Sequence, residues 1–423
     1  MESHVMSVVQ QNLYIITLVL IVGLIAIKLS EWIKIPDVAM FMIVGILLGP
    51  SLLNFIRIAN DSVANQFIIT LGSILILFEG GRAIHVSVLK KVWITISLLS
   101  VLGVIVTAAV VAITAFYLLH IPMLYALLLA SVIASTDPAT LIPVFKQITI
   151  REKVRQTVES ESAFNDATGS ILAFTLLAII QGHAQLSVAS SIWSFVREAG
   201  GGILVGTIIG FLGVLFTSEH NWGHLRKYST IINLVVAISS YLLAGSIHSS
   251  GFMATFTAGL ILGNPDLFRL HISEETNSPV YHFSESITLI MRKLIFILLG
   301  TQVDFRILKE FWVQGILIVL VFMFIARPLT VLACTLPDRK AKWKWNEIVF
   351  MFWVRETGVI PAALSGMIVA AGVKYSSEIT SVTFIAILMT ILIQASTTGY
   401  VAKKLGITID EPNHGMKKAV DIK

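Results

Sequence analysis

The sequence predicts an all-α polytopic membrane protein of about 13 transmembrane helices, built as two inverted six-helix repeats with interrupted helices. Three observations carry this reading. The 423 residues are 56% hydrophobic and only 13% charged, with mean hydropathy +0.86, whereas soluble domains carry about 25% charge. The apolar residues fall into runs long enough to cross a bilayer, about 20 residues each. Two of those runs carry ionisable residues and a helix breaker near their middle, where a charge costs several kcal/mol and usually marks function.

Taken in order, the spans are 12–30, 36–54, 66–84, 92–119, 121–145, 157–181, 198–217, 229–247, 250–264, 283–301, 311–336, 346–371 and 379–401. The first begins near Leu13 and is followed by Lys28 and Lys34 without a small-residue cleavage site, so it reads as a retained span. Alternate loops then divide by charge. One set carries Lys34; Arg82, Lys90 and Lys91; Lys146, Arg151, Lys153 and Arg155; Arg226 and Lys227; Arg339, Lys340, Lys342 and Lys344; and Lys403 and Lys404. The other carries Arg57, Arg197, Arg306, Lys309 and Lys374. Positive loops face the cytoplasm, so the N-terminus is expected outside and the C-terminus inside a cell membrane. Residues 402–423 form a short polar cytoplasmic tail, and 1–423 is one membrane domain with the lipid bilayer as its surroundings.

The net charge of +5 is spread over these loops and is no nucleic-acid signature. The single cysteine, Cys334, excludes an internal disulfide. His183, His220, His224, His248, His271 and His282 have no metal-ligand spacing, and no cofactor is expected. Gly202, Gly206 and Gly210 make small-xxx-small steps on span 7, a packing signal.

Span 5 is broken at Asp137-Pro138, because proline removes a backbone donor and clashes with the preceding turn. Span 12 is broken around Arg355-Glu356-Thr357-Gly358, with Pro361 just beyond. With span 7 (198–217) as a linker, repeat 1 is 12–181 and repeat 2 is 229–401, and each break lies fifth in its set. Asp137 lies about 125 residues after the start of span 1 and Arg355 about 126 after the start of span 8. Seven spans separate the sets, so the second is inverted. Matching interrupted helices in inverted halves point to a transporter site near the midplane.

The sixth span brings the chemistry. Asp166 lies about nine residues into it, or ~13 Å from its cytoplasmic end, close to the middle of a ~30 Å core. Ser162 is one turn earlier on the same face. A carboxylate, a hydroxyl and backbone carbonyls freed at Thr136-Asp137 suit a small hard cation. Glu79 on span 3 is a further buried acid, with Arg82 three residues on as a local partner.

Ser135-Thr136-Asp137-Pro138, Glu161-Ser162-Ala163-Phe164-Asn165-Asp166 and Phe78-Glu79-Gly80-Gly81 resemble the motifs of the NhaP/NHE-like branch of the monovalent cation:proton antiporters. Ser250 to Ala254, Gly259 to Asn264, Leu298-Leu299-Gly300 and Ala326-Arg327-Pro328 are similar as well, and the matches keep the family's order from about 36 to 364. The resemblance implies an NhaA-like antiporter fold, a homodimer, and exchange of Na⁺, Li⁺ or K⁺ for H⁺. It implies that Asp166 binds cation and proton in competition, that Ser162, Thr136 and Asp137 complete the shell, and that Glu79 assists. Asn165 stands where the electrogenic branch has an aspartate, which implies electroneutral one-for-one exchange. It implies a buried Glu161–Arg355 ion pair between spans 6 and 12, and a structural role for Arg327. The chain departs from the family's Arg-Gly in placing Glu356 after Arg355, an acid able to compete with Glu161 for that arginine.

The function expected is secondary active antiport of cytoplasmic Na⁺ (or Li⁺ or K⁺) for external H⁺ by alternating access, not enzymatic catalysis; a K⁺-selective antiporter is the alternative. An intramembrane hydrolase with Asp137 and Asp166 as a dyad is the rival of a different class. It has no Gly-x-Gly-Asp element in the sequence and leaves the repeat unexplained. A cation channel is disfavoured by the lack of a pore-lining charged ring.

Overall fold

The computed structural model of the chain describes residues 2–33, 35–58, 62–182, 188–219 and 224–409. Lys34, His183, His220 and the tail from Asp410 lie outside the described residues. The chain opens with α1 (Glu2–Ile33), α2 (Asp37–Leu48), α3 (Val63–Arg82), α4 (Val86–Leu119), α5 (Met123–Ala134), α6 (Pro138–Gln147) and α7 (Glu152–Ile180). Then come α8 (Val188–Thr217), α9 (Ser229–Ser246), α10 (Gly251–Leu262) and α11 (Glu274–Thr301). The chain closes with α12 (Phe305–Val321), α13 (Arg327–Thr335), α14 (Trp345–Trp353), α15 (Val359–Ala370), α16 (Ser376–Met389) and α17 (Ser396–Lys404).

Every expected span contains helix, and the ends differ in both directions: α2 stops at Leu48 rather than 54, while others run longer. α7 starts at Glu152 rather than 157, and α11 at Glu274 rather than 283. Polar residues continue these helices past the apolar core, because the backbone ladder needs no hydrophobic side chains to propagate. Asp166 is consequently at the midpoint of the 29-residue α7.

Local chemistry explains some of the interruptions. Ser135 is extended at φ −80°, ψ 155°, and Pro138 disfavours the helical region for the residue before it. The second break runs from Val354 to Gly358 between α14 and α15. A π-helical turn at Phe322–Ala326 immediately precedes Arg327-Pro328, where the proline cannot donate and the ladder must widen. A second π-turn, Thr390–Ala395, joins α16 to α17 without any proline; among the described residues nothing in its local sequence announces it.

The bundle is held by close helix pairs. α2 packs on α11, and α3 on α10; numbered as spans these are 2 with 10 and 9 with 3, which a shift of seven spans interchanges. A side chain at Gly45 would overlap the Ile297 carbonyl, and one at Gly259 the Phe78 carbonyl, so the backbones touch. Gly202, Gly206 and Gly210 of α8 lie against the backbone of α10 in the same manner. α4 packs on α7, and α12 on α16, around a core that includes Leu128, Val132, Ile318 and Phe322. At the end of the bundle with the most basic loops, Glu347 accepts from Arg151 (3.3 Å) and Lys153 (2.7 Å), tying the start of α7 to the start of α14.

Candidate cation site

The two broken spans meet at their breaks. The Asp137 N–H donates to the Glu356 carbonyl at 2.8 Å, and the Val359 N–H donates to Asp137 Oδ2 at 3.1 Å. Thr140 Oγ1 donates to the same oxygen at 3.0 Å. Asp137 therefore sits on the amide end of α15, where the partial positive charge of a helix favours an anion. Gly358 makes this possible: a β-carbon there would overlap the Asp137 carboxylate.

The two carbonyl ends at the crossing face arginines. Arg355 Nη2 donates to the Ala134 carbonyl, the last of α5, and its guanidinium lies 5.0 Å from the Phe322 ring centre. Arg327 donates from Nε to the Met351 carbonyl (2.8 Å) and from Nη2 to the Val354 carbonyl (3.1 Å), both at the end of α14. It also holds Glu161 at both oxygens, Nη1–Oε1 2.5 Å and Nη2–Oε2 3.0 Å.

This corrects one expectation. The buried partner of Glu161 is Arg327, not Arg355. The π-turn delivers Arg327 to the junction of α7 and α14, where one guanidinium fork satisfies a carboxylate and two orphaned carbonyls together. Arg355 lies inside the break and meets the nearer carbonyl end of α5. Glu356 does not compete for it either; its Oε1 accepts from Thr398 Oγ1 at 3.5 Å. Arg327, Glu161 and Arg355 are each no more than 1% exposed, so removing one partner leaves a buried charge.

Asp166 lies against this crossing from α7. It is 1% exposed and neither oxygen accepts a hydrogen bond of normal geometry. The polar groups that bear on it are Asp137 and the Ser135 hydroxyl. Ser135 Oγ and Ser162 Oγ are likewise buried and without hydrogen-bond partners. Four oxygen atoms on two packed elements, α7 and the end of α5, are thus left unsatisfied, each at a cost of about 1–3 kcal/mol or more for a charged group. Ser135 is the member of this group that sequence reasoning missed; its position beside the break was the available signal.

The remaining expected site residues are placed differently. Asn165 Oδ1 accepts from the Thr136 N–H at 3.0 Å, and Asn165 Nδ2 donates to Thr136 Oγ1 at 2.9 Å. The asparagine thereby pins the strand-like break and occupies the Thr136 hydroxyl. Glu79 is buried on α3 and has Arg82 at 3.8 Å, the local partner foreseen, while Arg82 also reaches Asn233 Oδ1 at 3.4 Å. Elsewhere, on α11, Arg292 pairs with Asp37 at 3.2 Å, and the Lys293 stem covers Gly23 of α1.

Known proteins match this arrangement along nearly the whole chain. The profile of the transmembrane sodium/hydrogen exchangers matches residues 16–404. A probable Na⁺/H⁺ antiporter 2 of Methanocaldococcus jannaschii is 29% identical over 363 residues, 84% of this chain and 83% of that protein. A K⁺/H⁺ antiporter NhaP of Alkalimonas amylolytica is 26% identical, covering 96% of this chain and 68% of its own length. The solved structure of the sodium proton antiporter MjNhaP1 from Methanocaldococcus jannaschii superposes with TM-score 0.75 at 26% identity, over 94% of this chain and 99% of that one. The fold is that of these antiporters, and this chain belongs to the transmembrane sodium/hydrogen exchanger family.

Proposed function

We propose that the protein is a secondary antiporter that exchanges Na⁺ for H⁺ at one shared site centred on Asp166. The observation that carries this is the set of four unsatisfied buried oxygens on Asp166, Ser162 and Ser135. An ionised carboxylate at mid-helix is stable there only with a counter-charge, which a small cation or a proton supplies in turn. Occupancy by one excludes the other, and that competition is the coupling. Thr136 and Asp137 complete the cation shell from the break, and Glu79 assists from α3. Glu161, Arg327, Arg355 and Asn165 hold the geometry without changing protonation.

The chain is oriented with its N-terminus outside and its C-terminus in the cytoplasm of a cell membrane, and it works as a homodimer. Residues 12–181 and 229–401 are the two repeats and 198–217 the linker. The crossing of α5/α6 with α14/α15, carried with α7, moves as the transport unit against the glycine-packed pairs α2–α11 and α3–α10. One proton leaves as one monovalent ion enters, because Asn165 does not titrate, so exchange is electroneutral. K⁺ as the preferred ion is the second reading, favoured by the similarity to a K⁺/H⁺ antiporter NhaP.

Reconstitution in proteoliposomes tests both readings. Addition of Na⁺, Li⁺ and K⁺ in turn should collapse an imposed ΔpH for the transported ions only. With valinomycin setting the potential and equal transported cation on both sides, no ΔpH should develop; a ΔpH that follows the voltage, worth ~2.3 kcal/mol per charge per 100 mV, overturns the one-to-one ratio.

A further inference from the structure

A second group of unsatisfied oxygens lies at the same crossing, on the side of α17. Glu356, Thr357, Gln394 and Thr398 are all 0% exposed. Glu356 Oε2, Thr357 Oγ1 and Gln394 Oε1 have no hydrogen-bond partner. Thr398 Oγ1 is 3.5 Å from Glu356 Oε1 and 2.8 Å from the Gln394 carbonyl. A hydroxyl has one proton, so Thr398 divides it between the Gln394 carbonyl, the shorter contact, and Glu356 Oε1, the longer. Glu356 Oε2 receives no donor. The Gln394 amide is oriented by its own contact: Nε2 donates to the Trp353 carbonyl at 2.7 Å, which leaves Oε1 as an acceptor beside the same break. Gln394 and Thr398 are one turn apart, and the π-turn at Thr390–Ala395 sets that turn against the break.

Charge counting sharpens the point. Arg327 is committed to Glu161, and Arg355 to the Ala134 carbonyl. Asp137 lies on the amide end of α15. Glu356 has no cationic side chain within ion-pair distance among the described residues, and the carboxylate that bears on Asp166 is Asp137 rather than Glu356. Among the described residues no group of three or more His, Cys, Asp or Glu side chains stands ready for a multivalent metal. One carboxylate with amide and hydroxyl oxygens is instead a hard, singly charged donor set, suited to an alkali cation.

We propose that Glu356, Gln394 Oε1 and Thr398 Oγ1 form a second monovalent-cation site, separate from Asp166, in which a bound Na⁺ or K⁺ locks the α14–α15 break onto α17. The bound ion is a resident of the crossing and is not the one exchanged at Asp166.

The test is thermal unfolding of the purified full-length chain, titrated with NaCl, LiCl or KCl against choline chloride at constant ionic strength. Asp166→Asn removes the charge of the exchange site. In that variant a saturable, cation-specific rise in Tm is expected to remain, and Asp166→Asn/Glu356→Gln should lose it. Asp166→Asn/Thr398→Val should raise the half-saturating cation concentration about fivefold, the scale of one oxygen contact, and it keeps the test open if Glu356→Gln does not fold. No cation-specific rise in Asp166→Asn, as when a proton alone occupies Glu356, overturns the second site. So does a rise that persists unchanged in both double variants. Failure of the exchange assignment reads out separately, as ΔpH-driven exchange by Asp166→Asn at the wild-type rate.

Discussion

The glycine-packed pairs α2–α11 and α3–α10 and the crossing of the broken spans solve the same problem by opposite means. In the first, the stretch Ile295 to Leu299 is fully buried, and Gly45 and Gly259 let backbones touch. The ion pair between α2 and α11, Arg292 with Asp37, lies outside that stretch. At the crossing, helix ends face one another and their dipoles are matched by Arg355, Arg327 and Asp137, while the oxygens around Asp166 stay unsatisfied. The first region is held by shape, so its substitutions should change stability. The second is held by charge balance among buried groups, and if it is the exchange site proposed above, its substitutions should separate stability from binding.

That contrast can be broken most severely at Asp166. Asp166→Asn should reduce exchange in proteoliposomes to background while the protein elutes as a folded species, because an amide carries no releasable proton. Exchange near the wild-type rate would remove Asp166 from the mechanism.

Arg327→Ala tests whether the crossing also bears stability. It strands Glu161 in the interior, which costs about 3–5 kcal/mol, and a large fall in Tm is expected. Arg355→Ala removes one carbonyl contact and one ring contact, together about 1–2 kcal/mol, and should fall less. If Arg355→Ala proves the more damaging, the pairing of Glu161 with Arg327 is not the main anchor.

Gly259→Val probes the other region. Its β-carbon would overlap the Phe78 carbonyl, and overpacking costs about 1–3 kcal/mol. Tm should drop while the folded fraction keeps the wild-type half-saturating Na⁺ concentration in the dequenching assay. A shifted cation affinity would mean that this contact is part of the binding machinery.

The smallest effect is expected at Ser162→Ala. Losing one ligand oxygen should raise the half-saturating cation concentration about fivefold, on the scale of ~1 kcal/mol. Tm without added cation should stay level or rise slightly, because an unsatisfied hydroxyl has been removed. A drop in Tm with unchanged affinity would assign Ser162 to packing.

Much of this was readable from the chain. Hydropathy located the thirteen helices, because in a bilayer each segment must satisfy its own backbone and announces itself by length and apolarity. Pro138 and the Arg355 to Gly358 stretch marked both interruptions, and Asp166 in an apolar run marked the candidate site. Helix ends were less legible: polar residues carry α7 and α11 past the hydrocarbon. The turn at Thr390–Ala395 left no local trace, since its cause lies in what packs against it.

Local periodicity, composition and loop charge act within one segment, so the sequence alone determined the spans, the breaks and the residue types available for chemistry. Partner choice acts between segments. Glu161 and Arg327 are 166 positions apart, and Ala134 and Arg355 are 221 apart. Which guanidinium meets which acid depends on a few ångströms of helix rotation set by packing, and on a π-turn that reorients Arg327. The same holds for the unsatisfied oxygens of Asp166, Ser162, Ser135 and Glu356: a polar atom is orphaned only relative to neighbours from other helices, and only the assembled crossing decides that.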